Sequence, residues 1–155
     1  MEIEALERRI RALEDVEAIK KLKARYCACC DDKYDVEGLA SLFTDDAGWD
    51  GGERLGRYEG IEAIRGFFSG SPKRVSFAIH HVTNPIIEVD GDEATGRWYL
   101  FQPCTRADGN RAVWLAARYE EEYVRVTGEW KFRKIAVFPA FYTPFDQGWA
   151  KQPFV

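Results

Sequence analysis

The sequence predicts an α+β fold, with helices packed on one face of an antiparallel sheet. Three observations carry this. Apolar residues step by three and four through the first part of the chain, the stripe of an amphipathic helix. After residue 74 the period changes to an alternation of two, the mark of half-buried strands. The alternating runs are separated by Asp90-Gly91-Asp92, Ala107-Asp108-Gly109-Asn110 and Thr127-Gly128-Glu129, and Asp-Gly between such runs is the strongest short hairpin signal. Helices first and hairpins later is the α+β order.

Each element follows from its own residues. Ile3, Leu6, Ile10, Leu13, Val16, Ile19, Leu22 and Tyr26 form one stripe, which predicts a helix from about residue 3 to about residue 32. Its first turns are rich in Glu, which suits the positive end of the helix dipole. The helix is long for a globular domain, so its first turns are expected to pack against another subunit or fray. Asp35 is placed to cap a second helix over residues 36–43. The acids and glycines from Thr44 to Gly52 break the pattern, with Trp49 on a short strand. Residues 60–68 read as a third helix with Ile61, Ile64, Phe67 and Phe68 inward. Strands are predicted over residues 75–81, 86–89, 94–102, 111–127 and 129–138. The aromatic, Pro-containing tail from Tyr142 to Val155 is expected to lie across a surface or a neighbouring subunit.

The 155 residues suit one domain, residues 1–155, large enough to enclose a core and a pocket. A hydrophobic fraction of 46% and a charged fraction of 31% exclude the disordered and fibrous classes. The net charge is −4. Nucleic-acid binding needs a positive footprint, and the basic run Lys20-Lys21-Leu22-Lys23 is diluted by nearby acids. No apolar run is long enough to span a bilayer, and the N-terminus is charged from its first residues, unlike a signal peptide. The expectation is a cytoplasmic protein with Cys27, Cys29, Cys30 and Cys104 as reduced thiols, no membrane and no nucleic-acid partner.

Both histidines, His80 and His81, fall together at the start of a strand–turn–strand unit. Imidazole is the side chain suited to proton transfer near neutral pH. Adjacent strand residues point to opposite faces, so the two do not share one metal ion, and no full ligand set of the usual spacing accompanies them. No metal is expected. Cys27-Ala28-Cys29-Cys30 lies at the C-terminal end of the first helix, where the dipole opposes thiolate formation; buried small side chains are the better reading. Gly-x-Gly-x-x-Gly, Gly-x-x-x-x-Gly-Lys and Gly-x-Ser-x-Gly are absent, and no cofactor is expected. What is left is a histidine–carboxylate–tyrosine constellation. Asp31 sits where the dipole disfavours a carboxylate, and an imidazole partner would give that position a reason. It also reads as the solvated start of the loop Asp31-Asp32-Lys33. Tyr26 continues the apolar stripe and reads equally as a core tyrosine.

The order of three pieces resembles the NTF2-like superfamily in its SnoaL-like branch. They are Ala24-Arg25-Tyr26 … Asp31 … Asp35 … Leu39-Ala40-Ser41-Leu42-Phe43-Thr44-Asp45-Asp46-Ala47, then Tyr58-Glu59-Gly60-Ile61-Glu62-Ala63-Ile64, then His80-His81-Val82-Thr83-Asn84-Pro85 … Val89-Asp90-Gly91-Asp92-Glu93-Ala94. The resemblance implies a cone-shaped barrel, three N-terminal helices packed on a strongly curved antiparallel sheet. Within this superfamily, scytalone dehydratase and bile acid 7α-dehydratase use a histidine on this strand with an aspartate from the end of the first helix, and the bile acid enzyme adds a tyrosine. Tyr26, Asp31 and His80 fall at matching positions, with His81 the alternative if the alignment slips by one. Cys104 stands where scytalone dehydratase has a second histidine, which argues against the same substrate.

The resemblance implies cofactor-free acid–base chemistry, dehydration or isomerisation, on a small, largely apolar molecule bearing a carbonyl or hydroxyl. His80 would be the base, Asp31 its orienting partner and Tyr26 a donor to a carbonyl or enolate oxygen. A non-catalytic binding or scaffold protein, like a dioxygenase β subunit, is the alternative, because one fold hosts many functions. Apolar residues on both parities of the last two strands call for a covered outer sheet face, so a homodimer or homotrimer is expected.

Overall fold

The computed structural model describes residues 2–155. The first helix, α1 (Ile3–Asp31), is continuous. Its apolar stripe is used unevenly. Ile3, Leu6, Ile10 and Leu13 are exposed, and burial starts at Asp15 and takes in Ile19, Leu22, Tyr26, Cys27 and Cys30. Lys33 and Tyr34 both have positive φ, 51° and 57°, which reverses the chain. The Asp35 carboxylate then accepts from the backbone N–H of Gly38 at 3.1 Å and starts α2 (Val36–Ala40). This helix is shorter than the periodicity suggests. Phe43 leaves it to open β1 (Phe43–Asp50), because the Phe132 N–H donates to Leu42 O at 2.8 Å and Phe43 pairs with Phe132. Tertiary pairing overrides local helix preference there.

The glycine-rich break holds a one-turn helix, α3 (Gly52–Leu55), and a short strand, β2 (Arg57–Glu59), which the sequence pattern did not show. Asp50 organises the turn by accepting from Gly52 N–H at 2.8 Å and Arg57 Nε at 3.1 Å. Then comes α4 (Ile61–Gly70), with Ile64 and Phe68 fully inward, and a 3-10 turn over Ser71–Lys73. The remaining strands are β3 (Val75–Ala78), β4 (His81–Asp90), β5 (Glu93–Arg106), β6 (Arg111–Val126) and β7 (Glu129–Pro144). The β4–β5 turn puts Gly91 at φ 61°, the first central position of a type II′ turn that glycine fills without strain.

All seven strands form one sheet, in the order β2-β1-β7-β6-β5-β3, with β4 also paired to β5. Pairing is antiparallel except between β1 and β7, which run parallel; the expected purely antiparallel sheet is corrected at that seam. Register shifts between Ala116 and Ala117 and between Glu122 and Tyr123 bend the two longest strands, since a bulge adds a residue to one side only and increases the local twist. The sheet curls around α1 and α4. Tyr26 stands at the centre of the core, with Phe43, Phe68, Tyr119 and Phe132 edge-on around it at centroid distances of 5.6–6.3 Å.

The C-terminal tail returns to its own chain. Val155 N–H donates to Tyr142 O at 2.9 Å and Tyr142 N–H to Pro153 O at 2.8 Å. The ring of Phe154 lies 4.0 Å from the guanidinium of Arg54.

Candidate active site

The site grows from an interruption in the sheet. One edge of β5 is shared by two strands: Ala78 of β3 pairs with Cys104, and His81 of β4 pairs with Phe101. The periodicity reads residues 75–81 as one strand, yet Ile79 and His80 lie outside both. Ile79 N–H donates to Pro103 O at 3.1 Å. The next N–H, that of His80, faces away from β5 and donates to the Asp31 carboxylate, 3.0 Å from one oxygen and 3.2 Å from the other. The same Oδ1 is 2.6 Å from His80 Nδ1. One carboxylate therefore takes both the backbone and the ring donor of His80. These bonds offset its unfavourable place at the negative end of α1.

The pairing decides the ring's chemistry. A carboxylate only accepts, so Nδ1 carries the proton and Nε2 keeps its lone pair. The His80 side chain is 6% exposed and Asp31 28%. Tyr34 meets the imidazole edge-on at 6.4 Å and stacks on Phe68 at 6.1 Å, which limits ring rotation. His81 is exposed on β4 and is not among the residues lining the cavity described next. Of the two histidines, the one brought to Asp31 is His80.

His80 opens on a cavity of about 540 Å³ whose wall includes Tyr26, Trp49, Phe68, Tyr119 and Cys104. That is within the usual size of small-molecule sites, which are apolar with a few placed polar groups. Tyr26 is buried and its hydroxyl accepts from Trp49 Nε1 at 3.1 Å. Burial pushes this phenol well above its ordinary range, so it keeps its proton. That proton can go to the neighbouring Cys30 sulfur or to an oxygen in the cavity. Burial likewise raises the Cys104 thiol to about 11 and the Cys27 thiol to about 11, and pushes Cys30 up as well. Neutral thiols are poor nucleophiles, and these pack as small apolar groups.

Beneath the cavity lies an ion pair that is not among the residues singled out by the sequence pattern. The Lys23 ammonium bonds the Glu121 carboxylate, and both side chains are fully buried. Glu121 also accepts from the Tyr123 hydroxyl, which in turn accepts from Trp98 Nε1 at 3.1 Å. Lys23 Nζ sits 3.3 Å from the centre of the Tyr119 ring and 4.4 Å from that of Tyr26. The signal was present: Lys23 is four residues after Ile19 and three before Tyr26, on the apolar stripe itself, where a lysine needs a buried partner. In the linear sequence it merges into the basic run Lys20-Lys21-Leu22-Lys23. Among the described residues no cluster of three or more His, Cys, Asp or Glu is arranged to hold a metal, and no helix is long and apolar enough to cross a membrane.

Comparison with known proteins bears on this geometry. Residues 11–136 match the model of the SnoaL-like domain. A γ-hexachlorocyclohexane dehydrochlorinase of Sphingobium indicum is 31% identical over 115 residues, 73% of each chain. A crystal structure of a hexachlorocyclohexane dehydrochlorinase, LinA type 2, superposes with a TM-score of 0.79 at 30% identity, covering 86% of this chain and 90% of that one. A Novosphingobium aromaticivorans protein provisionally named a scytalone dehydratase gives a TM-score of 0.79 at 23% identity, covering 86% and 89%; that likeness speaks for the fold alone. The curved sheet wrapped on an N-terminal helical part is the NTF2-like cone, and the chain belongs to the SnoaL-like domain family.

Proposed function

We propose that this chain is a cofactor-free lyase that eliminates a leaving group next to a carbon-bound proton. The observation that carries the reading is the double grip of Asp31 on His80, which leaves Nε2 as a lone-pair base in a cavity wall. In the proposed step Nε2 takes the proton from carbon. The electrons of that C–H bond form a C=C bond, and the bond to the leaving group on the adjacent carbon breaks with its electron pair. A hydroxide leaves as water after protonation by the imidazolium; a halide leaves as the anion. Asp31 stabilises the imidazolium while it exists. The Tyr26 hydroxyl supports charge on a carbonyl or enolate oxygen where the substrate has one. Double-bond isomerisation shares the first proton transfer and differs in where the proton returns.

The dehydrochlorinases, which this chain resembles in sequence and in structure, support elimination. The test uses purified protein with γ-hexachlorocyclohexane, followed by chloride release, and with β-hydroxy ketones, followed by enone absorbance. Exchange of activated C–H protons in D₂O, followed by NMR, reports proton abstraction whatever the leaving group. Wild-type protein is expected to act in at least one assay, and His80→Gln to lose ~10²–10⁴ of the rate, the worth of a positioned general base. Full turnover by His80→Gln overturns the assignment. Ligand binding without exchange or elimination by the wild type points to the non-catalytic binder instead.

A further inference from the structure

We infer that the substrate is an acid, with a carboxylate that docks at the mouth of the cavity and an apolar body that reaches His80. This rests on reading the cavity as the substrate site, and adds the chemical class of what enters it. Four cations line the cavity beside its apolar wall: Arg54 from α3, Lys73 and Arg74 from the 3-10 turn and its cap, and Arg106 from the end of β5. Asp108 is the one acidic side chain that lines it with them, and the last residue, Val155, lines it too. This balance runs against the chain, whose net charge is −4.

The cations are not used up by neighbours. Among the described residues, Arg54, Lys73 and Arg74 take part in no ion pair. Arg106 has Asp108 only at 4.0 Å, and that carboxylate is held by Arg111 at 3.1 Å. Arg74 is instead fixed in place, giving Nη2 to Ser71 Oγ at 2.9 Å with its guanidinium 5.0 Å from the Phe67 ring centre. Arg54 lies over Phe154. Guanidinium groups held by rings and hydroxyls, with charge unspent, suit bidentate recognition of a planar carboxylate. Like charges gathered at the rim of an apolar cavity focus the field on an incoming anion.

The register fixes the spacing. Arg106 pairs with Val75. Ile79 bonds Pro103 and His81 pairs with Phe101, so His80 lies opposite Gln102. The four steps from Arg106 to Gln102 span roughly 13 Å of strand. That is a backbone separation, which the Arg106 side chain can shorten or extend. A substrate with a ring or several carbons between its acid group and its reactive carbon is therefore the one that fits a carboxylate held outward at the mouth.

The test compares 2-naphthylacetate with its uncharged amide, 2-naphthylacetamide, by quenching of tryptophan fluorescence, Trp49 being in the cavity wall. At low salt the acid is expected to bind ~10-fold tighter than the amide, the worth of charge-assisted hydrogen bonds. The preference should shrink in 0.3 M salt as the rim is screened, and Lys73→Gln/Arg106→Gln should remove most of it. Equal affinities for acid and amide overturn the inference, as does a preference untouched by both salt and the double substitution, or failure of the acid to bind at millimolar concentration. The His80→Gln variant separates the two readings. If it keeps the acid preference while wild-type protein shows neither elimination nor D₂O exchange, with the neutral substrates or with β-hydroxy ketones that also carry a carboxylate, the anion site stands and the lyase assignment falls.

Discussion

Replacing Lys23 with Met tests the buried pair beneath the site, and no substrate is needed. Methionine matches the lysine stem and can lie against the rings of Tyr119 and Tyr26, so the packing loss is small. The cost comes from what remains. Glu121 is fully buried and would keep only the Tyr123 hydroxyl as donor. Removing one partner of a buried pair costs ~3–5 kcal/mol, because the other charge is left without compensation. For a chain of this size each kcal/mol moves the melting temperature ~2–4 °C, so Tm should fall by roughly 6–20 °C, with a matching drop in the urea midpoint. In Lys23→Met/Glu121→Gln no charge is stranded, and the glutamine oxygen still accepts from Tyr123. We expect the double variant to recover to within ~1–2 kcal/mol of wild type, since a buried pair is often worth little against neutral groups of similar volume. Urea denaturation with linear extrapolation measures both. A single variant within ~1 kcal/mol of wild type, or a double variant no better than the single, would refute the reasoning from stranded charge.

Three further outcomes are expected. Asp31→Asn should cost ~10–100-fold in kcat/KM and less than His80→Gln, because the amide oxygen can still accept from both His80 donors while the negative charge is lost; a cost equal to that of His80→Gln would contradict it. Asp15 is held by both Arg125 nitrogens at 2.8 and 2.9 Å and by Trp130 Nε1 at 3.0 Å, and the Arg125 hydrogen bonds lower its carboxyl below 3.8. Its stabilisation is therefore present above the unfolded value and lost as pH falls through the lower folded one, so Asp15→Asn should flatten the loss of urea resistance below about pH 4, and an unchanged acid slope would count against it. Phe77, Tyr99, Phe101, Phe145 and Trp149 are exposed, an apolar spread that a solitary chain rarely shows; sedimentation is expected to give two or three times 17.8 kDa, and a monomer at micromolar concentration would argue otherwise.

What the sequence made legible was periodic. The stripe on α1, the Asp35 cap and the Asp-Gly turns each rest on a local rule, and those elements stand within a few residues of where the pattern puts them. The parts that were hidden depend on distant residues. Phe43 belongs to a strand because of Phe132, 89 positions further along the chain and invisible to any local window. The β3–β4 interruption is met by Asp31, whose carboxylate takes the edge N–H of His80 from the end of a distant helix. Lys23 was visible as a charge on an apolar face, but its partner on β6 was not. The cationic rim joins residues from three elements that share no motif, so only the closed cone shows it.

The interruption at His80 is also what aims the base. Ile79 N–H points to β5, so by the alternation of an antiparallel pair the His80 N–H faces the open edge of the sheet, where no strand can take it. Asp31 binds backbone and ring together, so the group that ties down the edge N–H is the same one that fixes the imidazole tautomer. The two functions cannot be separated by substitution at Asp31. A residue without an acceptor there would strand the His80 N–H, a loss worth ~1–3 kcal/mol when such a group is buried, and would free the ring at the same time. Substitution at His80 is different, since the backbone donor survives any side-chain change. Stability should therefore be more sensitive to Asp31→Ala than to His80→Gln, while the proposed chemistry should be more sensitive to His80. That crossed pattern is what a carboxylate serving both strand and base requires.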